Sequence, residues 1–328
     1  MRNRKPEDRH CSYVVVVGSA ASSVSELRDL AAYLSTVSVA GCDVVVLDPS
    51  PRPQFDLNAR ILRWVGRHVA VGPEHRSHSG TIDPVRSAAA LAACEKVIVA
   101  AEDVRYTPDA IGQLCDLLDT HEVVEPQDYL DPLPWWGGIE AGRMLLHRGI
   151  EPHPDHGATF GFRRTAVRAL RALEVIEAED QTRRLSAAGA EVFPASSVFV
   201  RREPAALDEW LSDRARVAGD DFDLPMKSVF FFSLVPMLLL LGLLGGLRLA
   251  GGYASAIAFA SFVLALRGRA GASAFFPLRA CLYAPLWVFE RSLSVYWALF
   301  RKVRGADARA ASEAIPQRAG SARVASGE

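Results

Sequence analysis

Val97-Ile-Val-Ala-Ala-Glu-Asp-Val-Arg-Tyr-Thr-Pro108 is the stretch on which the reading of this chain turns. An apolar, β-branched run ends in two adjacent carboxylates, Glu102 and Asp103, followed by a short polar turn and a proline. A run of this kind reads as a buried parallel strand delivering acids to the carboxyl edge of a sheet. In open α/β sheets ligands bind outside that edge. Carboxylates placed there can hold a divalent metal against a diphosphate.

The residues before this stretch supply the rest of such a sheet. Tyr13–Val17 and Asp43–Asp48 are short apolar runs, closing at Gly18 and Pro49, and His68–Val71 is a third. Between them, Val24–Leu34 has helical spacing, with Leu27, Leu30, Ala31 and Leu34 on one face. Arg60–Val65 and Val85–Cys94 read as further helices. Strands alternating with helices predict a parallel, doubly wound sheet. Beyond Pro108 the pattern predicts helices over Pro108–Leu118, from the Asp131–Gly138 loop to about Leu146, over Thr165–Leu173 and over Asp180–Ala188. Strands are predicted at His121–Pro126 and Val192–Val200.

The composition excludes several classes. A net charge of −1 argues against nucleic-acid capture by the whole molecule. The five cysteines are scattered with no CxxC pair, which disfavours a disulfide framework or a zinc site and suits a reducing compartment. His153 and His156 stand in a proline-containing loop with no Cys or Glu partner nearby, a weak zinc signal. Residues 1–11 lack an apolar core and a cleavage site, so they read as a basic, disordered tail rather than a secretory signal.

After residue 227 the chain changes character. Ser228–Leu247 carries no charge and is long enough to cross a bilayer, and Leu249–Leu266 is uncharged and slightly shorter. A single Arg248 and a Gly-Gly separate them, which suits a hairpin with spans at about 228–248 and 249–267. Lys227 before it and Arg267 and Arg269 after it place both ends in the cytoplasm by the positive-inside rule. Residues 274–300 are interrupted by Arg279, Glu290 and Arg291, and read as an interfacial or re-entrant segment rather than a third span. The expected organisation is a folded domain over 12–205, an amphipathic juxtamembrane segment over 206–227, a membrane region over 228–300 and a disordered tail over 301–328.

Several side chains are candidates for chemistry. Adjacent strand residues point to opposite faces, so only one of Glu102 and Asp103 points directly at a metal unless the chain turns there, and Asp103 is the better candidate. Asp48 ends a strand where an acid can hold a base or ribose, or simply cap a turn. Gly18-Ser19 could admit a nucleotide to the backbone, although the segment lacks the Gly-Lys-Ser/Thr ending of a P-loop. Glu177-Ala-Glu179-Asp180 opens a helix. Carboxylates there can act as a general base or complement the helix dipole. Trp135 and Trp136 are packing anchors or a stacking platform, and Trp210, Arg214 and Arg216 lie just before the membrane.

Taken in order, Glu102–Pro108, Pro126-Gln-Asp-Tyr-Leu-Asp-Pro-Leu-Pro-Trp135 and Ala284-Pro-Leu-Trp-Val-Phe-Glu-Arg291 resemble membrane-anchored family-2 glycosyltransferases with a GT-A fold, including bacterial relatives of ceramide glucosyltransferase. The similarity runs from about Tyr13 to Arg304. It implies an α/β, Rossmann-like and mostly parallel sheet with flanking helices, followed by the membrane hairpin and interfacial helix. It implies a nucleotide diphosphate sugar donor, Mg2+ or Mn2+, and a lipid or lipid-linked acceptor at the cytoplasmic face of the inner membrane, with no nucleic acid. Asp103 and Glu102 would hold the metal, and Gly18, Ser19, Asp48, Gly80 and Arg105 the donor. Asp180, Glu179 or Glu177 would serve as base. Asp131, Trp135, Trp136, Trp210 and Arg214 would face the acceptor or lipid.

The chain departs from the family pattern where chemistry is concentrated. Ala101 replaces the first metal acid. Ser79-Gly80-Thr81 stands where Asn-Gly-Lys is usual, so a lysine is missing. The acceptor-side Glu-Asp pair has two registers: Glu177-Ala178, in which the base is lost, or Glu179-Asp180. The Gln/Arg-x-x-Arg-Trp box is only loosely echoed around Trp210–Arg214. These departures keep a second expectation open, a non-catalytic relative that serves as a binding or assembly subunit. A transporter fits poorly, since two or three spans without an intramembrane acidic path leave little to carry a substrate.

Overall fold

A computed structural model of the chain describes residues 10–18, 23–72, 82–150, 158–170, 181–220 and 225–313. Ser19, Gly80, His153, His156, Glu177, Glu179 and Asp180 lie outside the described residues. The first strands are β1 (Cys11–Val16), β2 (Cys42–Asp48), β3 (Arg67–Ala70) and β4 (Lys96–Ala101), and they pair in parallel. The remaining strands are β5 (Val104–Arg105), β6 (Val123–Leu130), β7 (Thr159–Arg163) and β8 (Val192–Arg202). Together they form one eight-stranded sheet in the order β3-β2-β1-β4-β7-β6-β8-β5. Strand β7 runs antiparallel between β4 and β6, whereas β8 runs parallel to β6 and antiparallel to β5. This is the α/β, mostly parallel fold expected from the sequence.

Side chains alternate across the sheet, and both faces are covered. Tyr13, Ile98 and Val200 face one buried cluster with Leu34, Leu114 and Leu118. Val14, Val99 and Phe162 face another with Leu47, Val85 and Leu185. That is why the parallel strands read as continuous apolar runs rather than alternating ones.

Local chemistry sets the helix starts. Ser23 and Glu26 form a capping box before α1 (Val24–Val39). Asp83 caps α3 (Pro84–Leu91) and Thr107 caps α4 (Pro108–Leu117), each with proline in the first turn. Helix α2 (Gln54–Leu62) begins before the predicted Arg60. The others in this region are α5 (Trp135–Ile150), α6 (Arg164–Ala169) and α7 (Gln181–Ala187).

The chain divides into two compact units, Met1–Pro204 with Ala260–Ala284, and Ala205–Phe259 with Pro285–Glu328. In the first unit α5 meets Ala260–Ala284 through its glycines. A Cβ at Gly142 would lie 2.7 Å from the backbone N of Ala284, and one at Gly149 would lie 2.1 Å from Leu264 O. The second unit contains α8 (Leu207–Asp220) and most of α9 (Pro225–Arg269) and α10 (Leu278–Glu313). Helix α9 contains a stretch, Lys227–Arg269, that is long and apolar enough to cross a membrane, and only 11% of its most apolar part is buried. Such exposure is opposite to that of a soluble core helix. The helix is interrupted at Gly246, whose φ of 66° and ψ of −167° are non-helical. Helix α10 runs on to Glu313, past the boundary at 301 expected from composition.

Candidate functional site

The carboxyl edge of the sheet is built around the turn from β4 to β5. Strand β4 ends at Ala101, and the chain turns through Glu102 and Asp103 before pairing again at Val104–Arg105. This turn separates the two acids. Glu102 reaches back to β1, where its Oε2 accepts from the Gly18 N–H at 3.0 Å. A Cβ on Gly18 would stand 2.5 Å from Glu102 Oε1, so here the small residue accommodates a carboxylate of the chain itself. Asp103 points to β8, where its Oδ2 accepts from Arg202 Nε at 2.6 Å. Arg202 also lies 3.7 Å, through Nη1, from Asp128 Oδ2 on β6.

Asp128 is buried, and neither of its oxygens accepts a hydrogen bond from the described residues. Burial pushes its carboxyl pKa up, against the opposing pull of the Arg202 and Arg143 guanidinium groups. Burial likewise disfavours the Arg202 charge, but Asp103 and Asp128 outweigh it and raise the Arg202 pKa above its ordinary value. Arg143 of α5 is paired with Glu140 at 2.6 Å, beside this group. Arg105 is committed within its own turn. It donates to the carbonyls of Glu102 and Val104, pairs with Glu203 at 3.2 Å, and stacks 5.0 Å from the Tyr33 ring centre.

These contacts decide the fit of a divalent metal. Among the described residues no group of three or more metal-ligating side chains occurs. Ala101 offers no oxygen, Glu102 is turned to Gly18, and Asp103 is held by a guanidinium. In this arrangement, with Arg202 on Asp103, the residues do not fit the divalent metal that the resemblance implies.

Of the two roles open to Asp48, its contacts are those of a turn acid. It is fully buried at the end of β2, with Oδ1 accepting from Ser50 N at 2.8 Å and Oδ2 from Asn58 Nδ2 and His68 Nε2, each at 2.9 Å. A carboxylate so enclosed fastens the β2–α2 turn and leaves little to offer a nucleoside. Burial opposes its ionisation, but the hydrogen bonds from His68, Ser50 and Asn58 prevail and hold its pKa well below the carboxylate range. A depressed pKa contributes stability that is complete above the unfolded-state value, about 4, and lost as pH falls below it. Asp48→Asn should therefore lower the melting temperature at pH 7, and the gap to the parent should narrow in a titration below about pH 4. An unchanged gap across that range would remove the electrostatic role.

The remaining candidates fall in two places. Asp131 is exposed and its N–H donates to Arg202 O at 3.1 Å, while Trp135, 55% exposed, and Trp136 meet edge to face at 5.8 Å. Asp131 thereby adjoins the acid–arginine cluster, and the two tryptophans open α5 four residues further on. Trp210 and Arg214 belong to the second unit. There the guanidinium lies 4.3 Å from the Trp210 ring centre and 3.5 Å from Glu290 Oε2. Sequence reasoning passed over Asp128 and Arg202. The available signal was complementarity: the last strand ends in Arg201-Arg202, opposite in sign to the acids that end β4.

No protein-family model matches the chain, and no curated protein matches it. Among solved structures it is similar to a mannosyltransferase from Pyrobaculum calidifontis in complex with GDP-Man and Mn2+, at 16% identity over 89% of this chain and 88% of that one, with a TM-score of 0.47. It is also similar to glucosyl-3-phosphoglycerate synthase from Mycobacterium tuberculosis in complex with Mn2+, UDP and glucosyl-3-phosphoglycerate, at 18% identity over 65% and 78% of the two chains, with a TM-score of 0.37.

Proposed function

We propose that this chain is a membrane-bound glycosyltransferase that moves a sugar from a nucleotide diphosphate donor to a lipid or lipid-linked acceptor. The observation that carries the reading is the placement of Glu102, Asp103, Asp128 and Arg202 together at the carboxyl edge of a mostly parallel sheet, where α/β folds bind ligands. In an inverting reaction the acceptor oxygen attacks the anomeric carbon opposite the diphosphate. The new carbon–oxygen bond forms as the bond to the diphosphate breaks, and the hydroxyl proton passes to a carboxylate base. Asp180, Glu179 and Glu177 remain the candidates for that base. The reading assigns Trp135, Trp136 and Asp131 to the acceptor side, Asp131 being joined to Arg202 through its backbone.

The membrane assignment rests on the two long helices. The halves of α9 before and after Gly246 are each long enough for about 30 Å of hydrocarbon. A Cβ on Gly242 would lie 3.9 Å from Ala250 Cβ, a contact between residues eight apart that a continuous helix would not make, which supports a hairpin of two spans. Helix α10 exposes Leu278, Leu282, Leu286, Leu293, Trp297 and Phe300 along one stripe, which suits an interfacial helix. With Lys227, Arg267 and Arg269 at the hairpin ends, the site faces the cytoplasm.

The test is transfer from labelled UDP- and GDP-sugars to membrane lipid extract by the purified chain in detergent. Protein-dependent appearance of label in the lipid fraction is expected. Donor binding without turnover under all conditions favours the second reading, a non-catalytic binding subunit, which the occupied Asp103 carboxylate motivates. Neither binding nor turnover rejects both.

A further inference from the structure

Transfer from a diphosphate-linked donor needs positive charge fixed beside the leaving group. In this chain the sheet itself supplies it. Arg202 is paired on one side with Val104 of β5 and on the other with Leu130 of β6, and its carbonyl accepts from Asp131 N. The backbone is thus held from both directions, which fixes where its guanidinium starts. Nε donates to Asp103, and Nη1 lies toward Asp128. About a third of the side chain, 31%, is still exposed, so an anion can reach it. Asp103 Oδ1 and both oxygens of Asp128 accept no hydrogen bond among the described residues. The guanidinium therefore sits between two carboxylates, in the place where a metal ion would be expected to lie.

Resting on the glycosyl-transfer reading, we propose that Arg202, rather than a divalent cation, meets the donor diphosphate, and that Asp103 restrains its guanidinium until the donor arrives. A guanidinium fits phosphate oxygens through paired N–H donors, so it can exchange the Asp103 carboxylate for phosphate without moving its backbone. In this arrangement Asp103 competes with the donor. A metal ligand at the same position would recruit it.

The two roles predict opposite signs. Binding of UDP and GDP to the full chain in detergent is measured with EDTA and with Mn2+. Binding of equal strength in both is expected. Arg202→Ala should weaken it by about ten- to a hundredfold, the loss of a charge-assisted hydrogen bond to phosphate, and Arg202→Lys by less. Asp103→Asn, which removes the competing charge, should leave binding intact or tighten it several-fold. Binding that requires Mn2+ and disappears in Asp103→Asn overturns the inference while leaving glycosyl transfer standing. Absence of nucleotide binding with or without Mn2+ overturns both. If Arg202→Ala does not fold, the sign of the Asp103→Asn effect still decides.

Discussion

Arg184→Met is expected to destabilise the domain by about 3–5 kcal/mol, the usual cost of removing one partner from a buried ion pair. Arg184 on α7 donates from Nη2 to Asp83 Oδ2 at 2.8 Å, and the two side chains are 6% and 3% exposed. Asp83 does a second job, since its Oδ1 accepts from Arg86 N at the start of α3. Without Arg184 the buried carboxylate would lose its guanidinium partner and keep the helix-start N–H of Arg86. Asp83→Asn combined with Arg184→Met should recover part of the loss, because asparagine keeps the cap and removes the unpaired charge. Denaturant unfolding of the purified chain, with hydrogen exchange read at α3 and α7, measures both. A single-variant cost below about 1 kcal/mol would mean that solvent reaches the pair. The consequence for function follows from position, as α7 begins immediately after the candidate bases Glu177, Glu179 and Asp180.

This pair also shows where the sequence stops being readable. Asp83 and Arg184 are 101 positions apart, and nothing local in either segment marks the other as its partner. The strands β1, β2 and β4 were legible because burial on both faces writes a continuous apolar run into the chain. Strand β7 was not, since Thr159-Phe-Gly-Phe-Arg163 is short and follows a polar, proline-containing sequence without the flanks of a βαβ unit. Its antiparallel insertion between β4 and β6 is a tertiary fact.

The acids at the end of β4 were legible as a site, but their partners were not. A strand-end acid looks the same whether it faces solvent, a metal or an arginine. Only the register of β8 against β5 and β6 brings Arg202 to Asp103. Asp48 makes the same point from the other side. Its position after β2 invites a ligand role, whereas Asn58 and His68, which occupy its oxygens, come from the following helix and strand.

Gly268→Leu is expected to cost about 3 kcal/mol or more and to depress transfer along with stability. Overpacking a core by added methylenes typically costs about 1–3 kcal/mol, when side chains can shift. Here the obstruction is backbone. A Cβ on Gly268 would lie 2.0 Å from Leu145 O and 2.8 Å from Gly149 N, and one on Gly149 would lie 2.1 Å from Leu264 O. Each helix thus presents a glycine to the other, the small-residue contact that lets two helix backbones touch. Arg148 secures the crossing by donating to Gly268 O at 2.9 Å and to Ser196 O at 2.8 Å on β8. A side chain at 268 must push α5 away, and α5 begins with Trp135 and Trp136 and carries Glu140 and Arg143 beside Asp128. Displacement at one end of the helix should therefore reach the acid–arginine cluster at the other. Gly252→Ala is the matched control on the same helix, because a Cβ there meets no described atom within 4 Å. It should be neutral or slightly stabilising, as alanine is the better helix former. Melting temperature and lipid-fraction label are read together for both. If Gly268→Leu melts like the parent, α5 and the apolar helix do not touch as described. If it melts low but transfers normally, their contact holds the fold together without positioning the site.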